Sequence, residues 1–175
     1  MWGLVKAAGA IFVILSCSGI GAGMAGRLSS RRSLLQRLRV MVIHLRGEIL
    51  HGNVPLYEAF ERTGRRAGGE EGRLFEQVGN RLLKGEGRGF FDIWQEEVLA
   101  YLESSPLVKK EGEQMTAFGE YLGYLDREMQ ERTISLYLEE LNQEIEGLNQ
   151  EISQKSRLYT SIGVMAGLFL AVVLI

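Results

Sequence analysis

One cysteine, Cys17, stands among 175 residues, so no disulfide can form within the chain. Only two prolines occur, Pro55 and Pro106, and neither interrupts a run of periodic apolar residues, so little stops helices from running on. Two histidines, His44 and His51, are too few for a histidine-built metal centre. Charge is missing altogether from two stretches. Residues 7–26 are 20 consecutive uncharged positions with Ile11, Phe12, Val13, Ile14 and Leu15 at their centre, and residues 158–175 are another 18. No segment is low in complexity and no internal repeat of fixed period is present.

The two uncharged runs match the roughly 17–25 apolar residues that carry a helix across a hydrocarbon core. Arg27, Arg31, Arg32, Arg37 and Arg39 follow the first run, and Lys155 and Arg157 precede the second. Cations collect on the cytoplasmic flank of a membrane helix, so both flanks place residues 27–157 in the cytoplasm. Lys6 is the one dissenting charge, and its stem can reach the outer headgroups. A removable signal peptide fits the small residues at 21–26 loosely. Ile14-Leu15-Ser16-Cys17 also resembles a lipid-attachment box, with Leu15 a poor fit. The arginine cluster behind the run disfavours export, so a retained helix is expected, with Cys17 a small buried residue inside it. The expected organisation is a membrane helix over 1–26, a cytoplasmic body over 27–157 and a second membrane helix over 158–175.

The body reads as all-α. Leu34, Leu38, Met41 or Val42, Leu45 and Ile49 recur at helical steps and extend the first helix to about His51, where Gly52-Asn53 breaks it. Pro55 opens the next helix, with Leu56, Ala59 and Phe60 buried and Gly64 and Gly68-Gly69 as stops. Further helices are expected over 70–84 (Leu74, Val78, Leu82), over 90–103 (Ile93, Trp94, Val98, Tyr101, Leu102) and after Pro106 to about Tyr121 (Leu107, Met115, Phe118, Leu122). Connections this short make an antiparallel bundle. The last helix starts at an Asp126 N-cap and runs to the end of the chain. Its apolar seam, Ile134, Leu138, Leu141, Ile145, Leu148 and Ile152, follows heptad steps. Leu34, Leu38 and Leu45 of the first helix are the expected partner face. Arg31, Arg32, Arg37 and Arg39 would then meet Glu139, Glu140, Glu144 and Glu146, each surface pair adding at most about 1 kcal/mol. The alternative is a tethering coiled coil that self-associates through residues 134–152.

Chemistry has little to stand on. His44 and His51 are seven residues apart, which is about 10 Å of helix rise and too far for one metal. Gly85-Glu86-Gly87-Arg88-Gly89 lacks the preceding strand and the Lys-Ser/Thr of a phosphate loop, and reads as a hinge. Glu96-Glu97 and Glu139-Glu140 are adjacent carboxylates on solvated faces. No nucleophile elbow or zinc-protease motif occurs. No catalytic residue, cofactor or metal is expected. The basic stretch after the first run is explained by topology and anionic lipid rather than nucleic acid. Docking needs exposed anchors, for which Tyr57, Arg65, Arg66, Arg88 and Phe91, at helix ends away from the membrane, are the candidates.

Three segments carry a family resemblance across essentially the full length. They are the apolar helix followed by Arg27 to Arg39, the stretch 45–60 with His51-Gly52-Asn53-Val54-Pro55, and Tyr121-Leu122-Gly123-Tyr124-Leu125-Asp126 feeding a Glu/Gln-rich helix into Lys155-Ser156-Arg157. In this order they resemble stage III sporulation protein AB, a family of membrane proteins in endospore-forming bacteria. The resemblance implies a cytoplasmic helical domain similar to that of the type II secretion platform protein. It implies a place in the mother-cell membrane around the forespore, in a transenvelope complex. The implied partners are the secretion-type ATPase of that assembly and its other channel components, with the ATP chemistry in the ATPase and no catalytic residue here.

Overall fold

The computed structural model describes the backbone of residues 2–52, 54–85, 87–123 and 126–174, and the side chains of 26–52, 54–85, 87–123 and 126–155 together with Leu158 and Met165. Six α-helices follow one another: α1 (Trp2–Leu50), α2 (Leu56–Ala67), α3 (Gly69–Lys84), α4 (Phe90–Leu102), α5 (Lys109–Leu122) and α6 (Arg127–Leu174). No strand occurs among the described residues. Among them, too, no helix is long and apolar enough to cross a membrane. The side chains of the two uncharged runs, Gly26, Leu158 and Met165 apart, lie outside the described residues, as do those of Cys17 and Arg157.

The chain divides into two compact units, residues 33–145 and residues 1–32 with 146–175. In the larger unit α2, α3, α4 and α5 each pack on the next. The α1 segment and the α6 segment run antiparallel, since Arg39 Nε donates to Asn142 Oδ1 at 2.6 Å and Arg46 Nη2 to Glu131 Oε1 at 2.7 Å. Helix ends follow the local chemistry. Gly52 donates its N–H to the carbonyls of Gly47 and Glu48 at 3.2 and 3.1 Å, closing α1. Gly85 closes α3 in the left-handed region (φ 63°), where a side chain would be strained. Asp126 caps α6 as expected, its Oδ1 accepting the Glu128 N–H at 3.1 Å. Glu111, itself buried, reaches back to accept the Val108 N–H at 3.0 Å at the start of α5.

One expected stop is overturned. Gly64 does not end α2, which continues to Ala67, because Gly64 serves helix contact instead. A Cβ on Gly64 would lie 2.5 Å from the Gly72 carbonyl oxygen, and one on Gly72 would lie 2.6 Å from that of Gly64. Two bare backbones thus touch where α2 crosses α3.

The core gathers around Trp94. Its ring lies 5.7 Å from those of Phe60, Phe75 and Phe118, and Phe118 stacks on Tyr137 at 4.6 Å, so one aromatic chain joins α2, α3, α4, α5 and α6. On α1 both Met41 and Val42 are buried, as are Leu34, Leu35, Leu38, Leu45 and Ile49. That stripe is wider than a two-helix seam because α1 meets α6 on one side and, through the Arg37–Glu71 pair, α3 on the other. On α6, Ile134, Leu141, Ile145 and Leu148 are buried, while Leu138 and Ile152 are only half-buried. Tyr137, outside the expected seam, takes the core place beside Leu138.

Burial pushes the Tyr137 hydroxyl pKa above its ordinary 10.0. An unfolded chain ionises this group near pH 10 and the folded one resists, so the unfolded state binds fewer protons above that pH. Stability that is complete below about pH 10 is then lost as pH rises, by about 1.4 kcal/mol per pH unit for each such tyrosine. Denaturant titrations of wild type and Tyr137→Phe from neutral to alkaline pH should show a shallower alkaline loss in the variant. Tyr101, raised first by burial and next by Glu71, leaves part of the slope in place.

Candidate functional site

Cations and amides of α1 and α6 meet at repeated intervals. Arg32, Arg39 and Arg46 are seven residues apart, and so are Asn142 and Asn149. Arg32 Nη1 donates to Asn149 Oδ1 at 3.3 Å in the smaller unit, and Arg39 bonds Asn142 in the larger. For Arg32, Arg37 and Arg39 the expected pairing with Glu139, Glu140, Glu144 and Glu146 is therefore corrected. Arg37 turns to Glu71 on α3, its Nε and Nη2 both donating to Oε1 at 3.2 and 2.7 Å. Glu144 receives Lys110 of α5 at 2.5 Å. Neutral amides at matching heptad places thus take the arginine donors that carboxylates were expected to take. The sequence signal was the seven-residue spacing of both the Arg and the Asn, which an acid–base reading passed over.

Two clefts open on the larger unit. One, of about 540 Å³, lies along α1 and the α2–α3 junction, with Val40 and Met41 as its apolar floor and Arg37, His44, Arg66 and Glu71 around it. The other, of about 620 Å³, is an apolar groove between α4 and α5, with Phe91, Leu99, Leu102, Leu107, Val108 and Ala117 lining it and Lys109, Glu113 and Glu120 among its polar residues. Leu99 is 54% exposed and Val108 41%, so two apolar side chains of this groove stand open to solvent.

The five docking candidates fall in different places. Arg66 borders the first cleft and Phe91 the second. Arg65 pairs within its own helix with Glu61. Arg88 reaches Glu96 at 2.5 Å, a carboxylate that Arg81 also meets at 3.1 Å. These two guanidinium groups, Arg88 first, hold the Glu96 carboxyl below its usual range. The Tyr57 carbonyl abuts Gly79 of α3, where a Cβ would stand 2.7 Å away. Leu99 and Val108 escaped the sequence reading because helical periodicity does not say which apolar residues stay uncovered. Among the described residues no group of three or more His, Cys, Asp or Glu side chains could hold a metal.

The fold and these surfaces define an all-α helical bundle whose long first and last helices pair antiparallel. A family model for stage III sporulation protein AB matches residues 6–175, and the chain belongs to that family. It is 28% identical to stage III sporulation protein AB of Bacillus subtilis (strain 168) over 171 residues, covering 98% of this chain and 99% of that protein. A solved structure of a stage III sporulation protein AB superposes with a TM-score of 0.65 at 27% identity, covering 71% of this chain and 97% of that one.

Proposed function

We propose that the chain is a non-enzymatic membrane scaffold of a sporulation-stage secretion-like complex. In this reading α1 and α6 anchor it through the runs 7–26 and 158–175, and its cytoplasmic helical body docks a secretion-type ATPase to the channel in the mother-cell membrane. The observation that carries the reading is the smaller unit, in which the first and last segments of the chain come together. Both uncharged runs belong to that unit, each with its cations on the inner side. A chain anchored twice at one end presents its remaining surface to partners on one side of a bilayer. The open α4–α5 groove, with exposed Leu99 and Val108, is the apolar anchor surface such a partner would use.

The alternative of self-association through residues 134–152 is disfavoured by burial. Ile134, Leu141, Ile145 and Leu148 are 0%, 3%, 8% and 3% exposed within one chain, leaving little seam for a second copy. Co-purification from mild detergent tests the proposal. The full chain should retain the ATPase of its own assembly, and Leu99→Glu with Val108→Glu should release it while circular dichroism stays helical. Absence of ATPase from the wild-type eluate would sink the scaffold reading.

A further inference from the structure

Two outward stripes of the larger unit leave apolar side chains uncovered. Along α1, Gln36, Val40, Ile43 and Gly47 are all exposed, at steps of four, three and four that put them on one helix face. None of the four is charged, and Val40 and Ile43 are 48% and 42% exposed. Glycine is a poor helix former, yet nothing lies within 4 Å of a Cβ at Gly47, so no contact inside the chain calls for the missing side chain. Along α6, Met129, Leu136 and Gln143 stand outward at intervals of seven, with Met129 40% and Leu136 61% exposed. This is not the buried seam of Ile134, Leu141, Ile145 and Leu148. The two stripes agree in level. Arg39 meets Asn142 and Arg46 meets Glu131 within the chain. Between those ties Ile43 is level with Leu136, and just beyond the second Gly47 is level with Met129.

We propose that the outward stripe of α1 docks on the outward stripe of α6 of a second copy of this chain. This rests on the membrane-anchored reading above: identical chains held in one bilayer by the same runs stand at equal height, so helices side by side keep their levels. Ile43 of one chain then meets Leu136 of its neighbour. The bare backbone at Gly47 receives the neighbour's Met129, a flexible side chain suited to filling irregular space. Charge agrees with this pairing. In the first cleft, whose floor includes Val40, Arg66 makes no ion pair among the described residues. Glu139, exposed on α6 and level with that floor, is met by the neutral Gln143 Nε2 at 3.1 Å rather than by a cation. A second α1 in the same place would set arginine against arginine, since no carboxylate precedes Glu48. Because the two faces differ, the contact is head-to-tail and repeats from copy to copy, in a ring or a row.

The test places single cysteines in the full chain, in a Cys17→Ser background, and oxidises it after reconstitution in liposomes. Ile43→Cys and Leu136→Cys chains mixed in equal amounts should give a disulfide dimer at about ten times the yield of either chain alone. Both positions are exposed, so the helical circular dichroism should be unchanged. Leu83, 58% exposed on α3, supplies the control for chance collision: Leu83→Cys mixed with Ile43→Cys should give no more dimer than Ile43→Cys alone. Gly47→Leu added to the Ile43→Cys chain should lower the mixed yield about fivefold while α1 stays helical, because the new side chain takes the space meant for Met129. Dimer from either single variant alone at the mixed yield would mean like-on-like contact and overturn the assignment. So would the absence of dimer from the mixture, which would leave both stripes to other partners. A carbonate wash of membranes separates the two readings. A chain washed out of the membrane sinks both, whereas a chain retained without mixed dimer sinks this one alone.

Discussion

Trp94→Ala is expected to destabilise the chain by about 4 kcal/mol, within the range for deleting a buried aromatic. Whole domains are stable by only about 5–15 kcal/mol, so much of the native margin would be gone. Trp94 is 1% exposed and, among the described residues, is the one ring in contact distance of Phe60, Phe75, Phe90 and Phe118 alike. Its indole Nε1 donates to the Met115 carbonyl at 2.9 Å, so the substitution also removes a buried hydrogen bond between α4 and α5. Gly119 faces the same indole so closely that a Cβ there would overlap the ring. Trp94→Phe should cost clearly less, since it keeps an aromatic plane in the cluster. Urea denaturation of the full chain in mild detergent, followed by far-ultraviolet circular dichroism, gives both values. Equal losses for the two variants would show that the ring cluster is not the keystone.

Gly64→Ala or Gly72→Ala should destabilise by about 2–3 kcal/mol, against the ordinary helical preference for alanine. Alanine normally gains about 1 kcal/mol over glycine inside a helix. At the α2–α3 crossing the added methyl meets backbone, 2.5 Å from the Gly72 oxygen or 2.6 Å from the Gly64 oxygen, and backbone cannot rotate away as a side chain can. The helices must separate, and the Phe60–Phe75 contact at 5.1 Å loosens with them. Gly47→Ala is the internal control. Nothing lies within 4 Å of a Cβ there, so that change should stabilise by up to about 1 kcal/mol. Opposite signs at Gly47 and Gly64 in one melting series would establish close backbone approach as the cause. The same sign at both would refute it.

The helices were legible because few residues contradict them. Gly52, Pro55, Gly68, Gly85 and Ser104-Ser105-Pro106 punctuate the sequence where the structure turns, and Asp126 caps where an N-cap was expected. Buried positions such as Leu45, Phe60, Val78, Ile93, Val98, Met115 and Ile134 followed from period alone. Gly64 was misread because a glycine that stops a helix and one that lets a neighbour approach look identical in one dimension. Tyr137 was missed because its neighbour Leu138 fits a strict heptad, while a helix packed on several partners buries a broader stripe. Arg37 was matched to the wrong helix for a similar reason: charge complementarity names a sign, and Glu71 on α3 supplies it as well as any residue of α6.

By itself, the order of residues determined that the regular structure among the described residues is all helix, that charge is missing from residues 7–26 and 158–175, and to which family the chain belongs. Periodicity, capping chemistry and composition are local properties, written within a few residues of one another. Tertiary structure alone decided which glycines are contacts, that Arg32 and Arg39 take asparagine partners, and that Leu99 and Val108 remain uncovered along the α4–α5 groove. Those outcomes depend on which helix faces meet, for the two Arg–Asn pairs across 117 and 103 residues of chain, and that choice is made by packing the whole core at once.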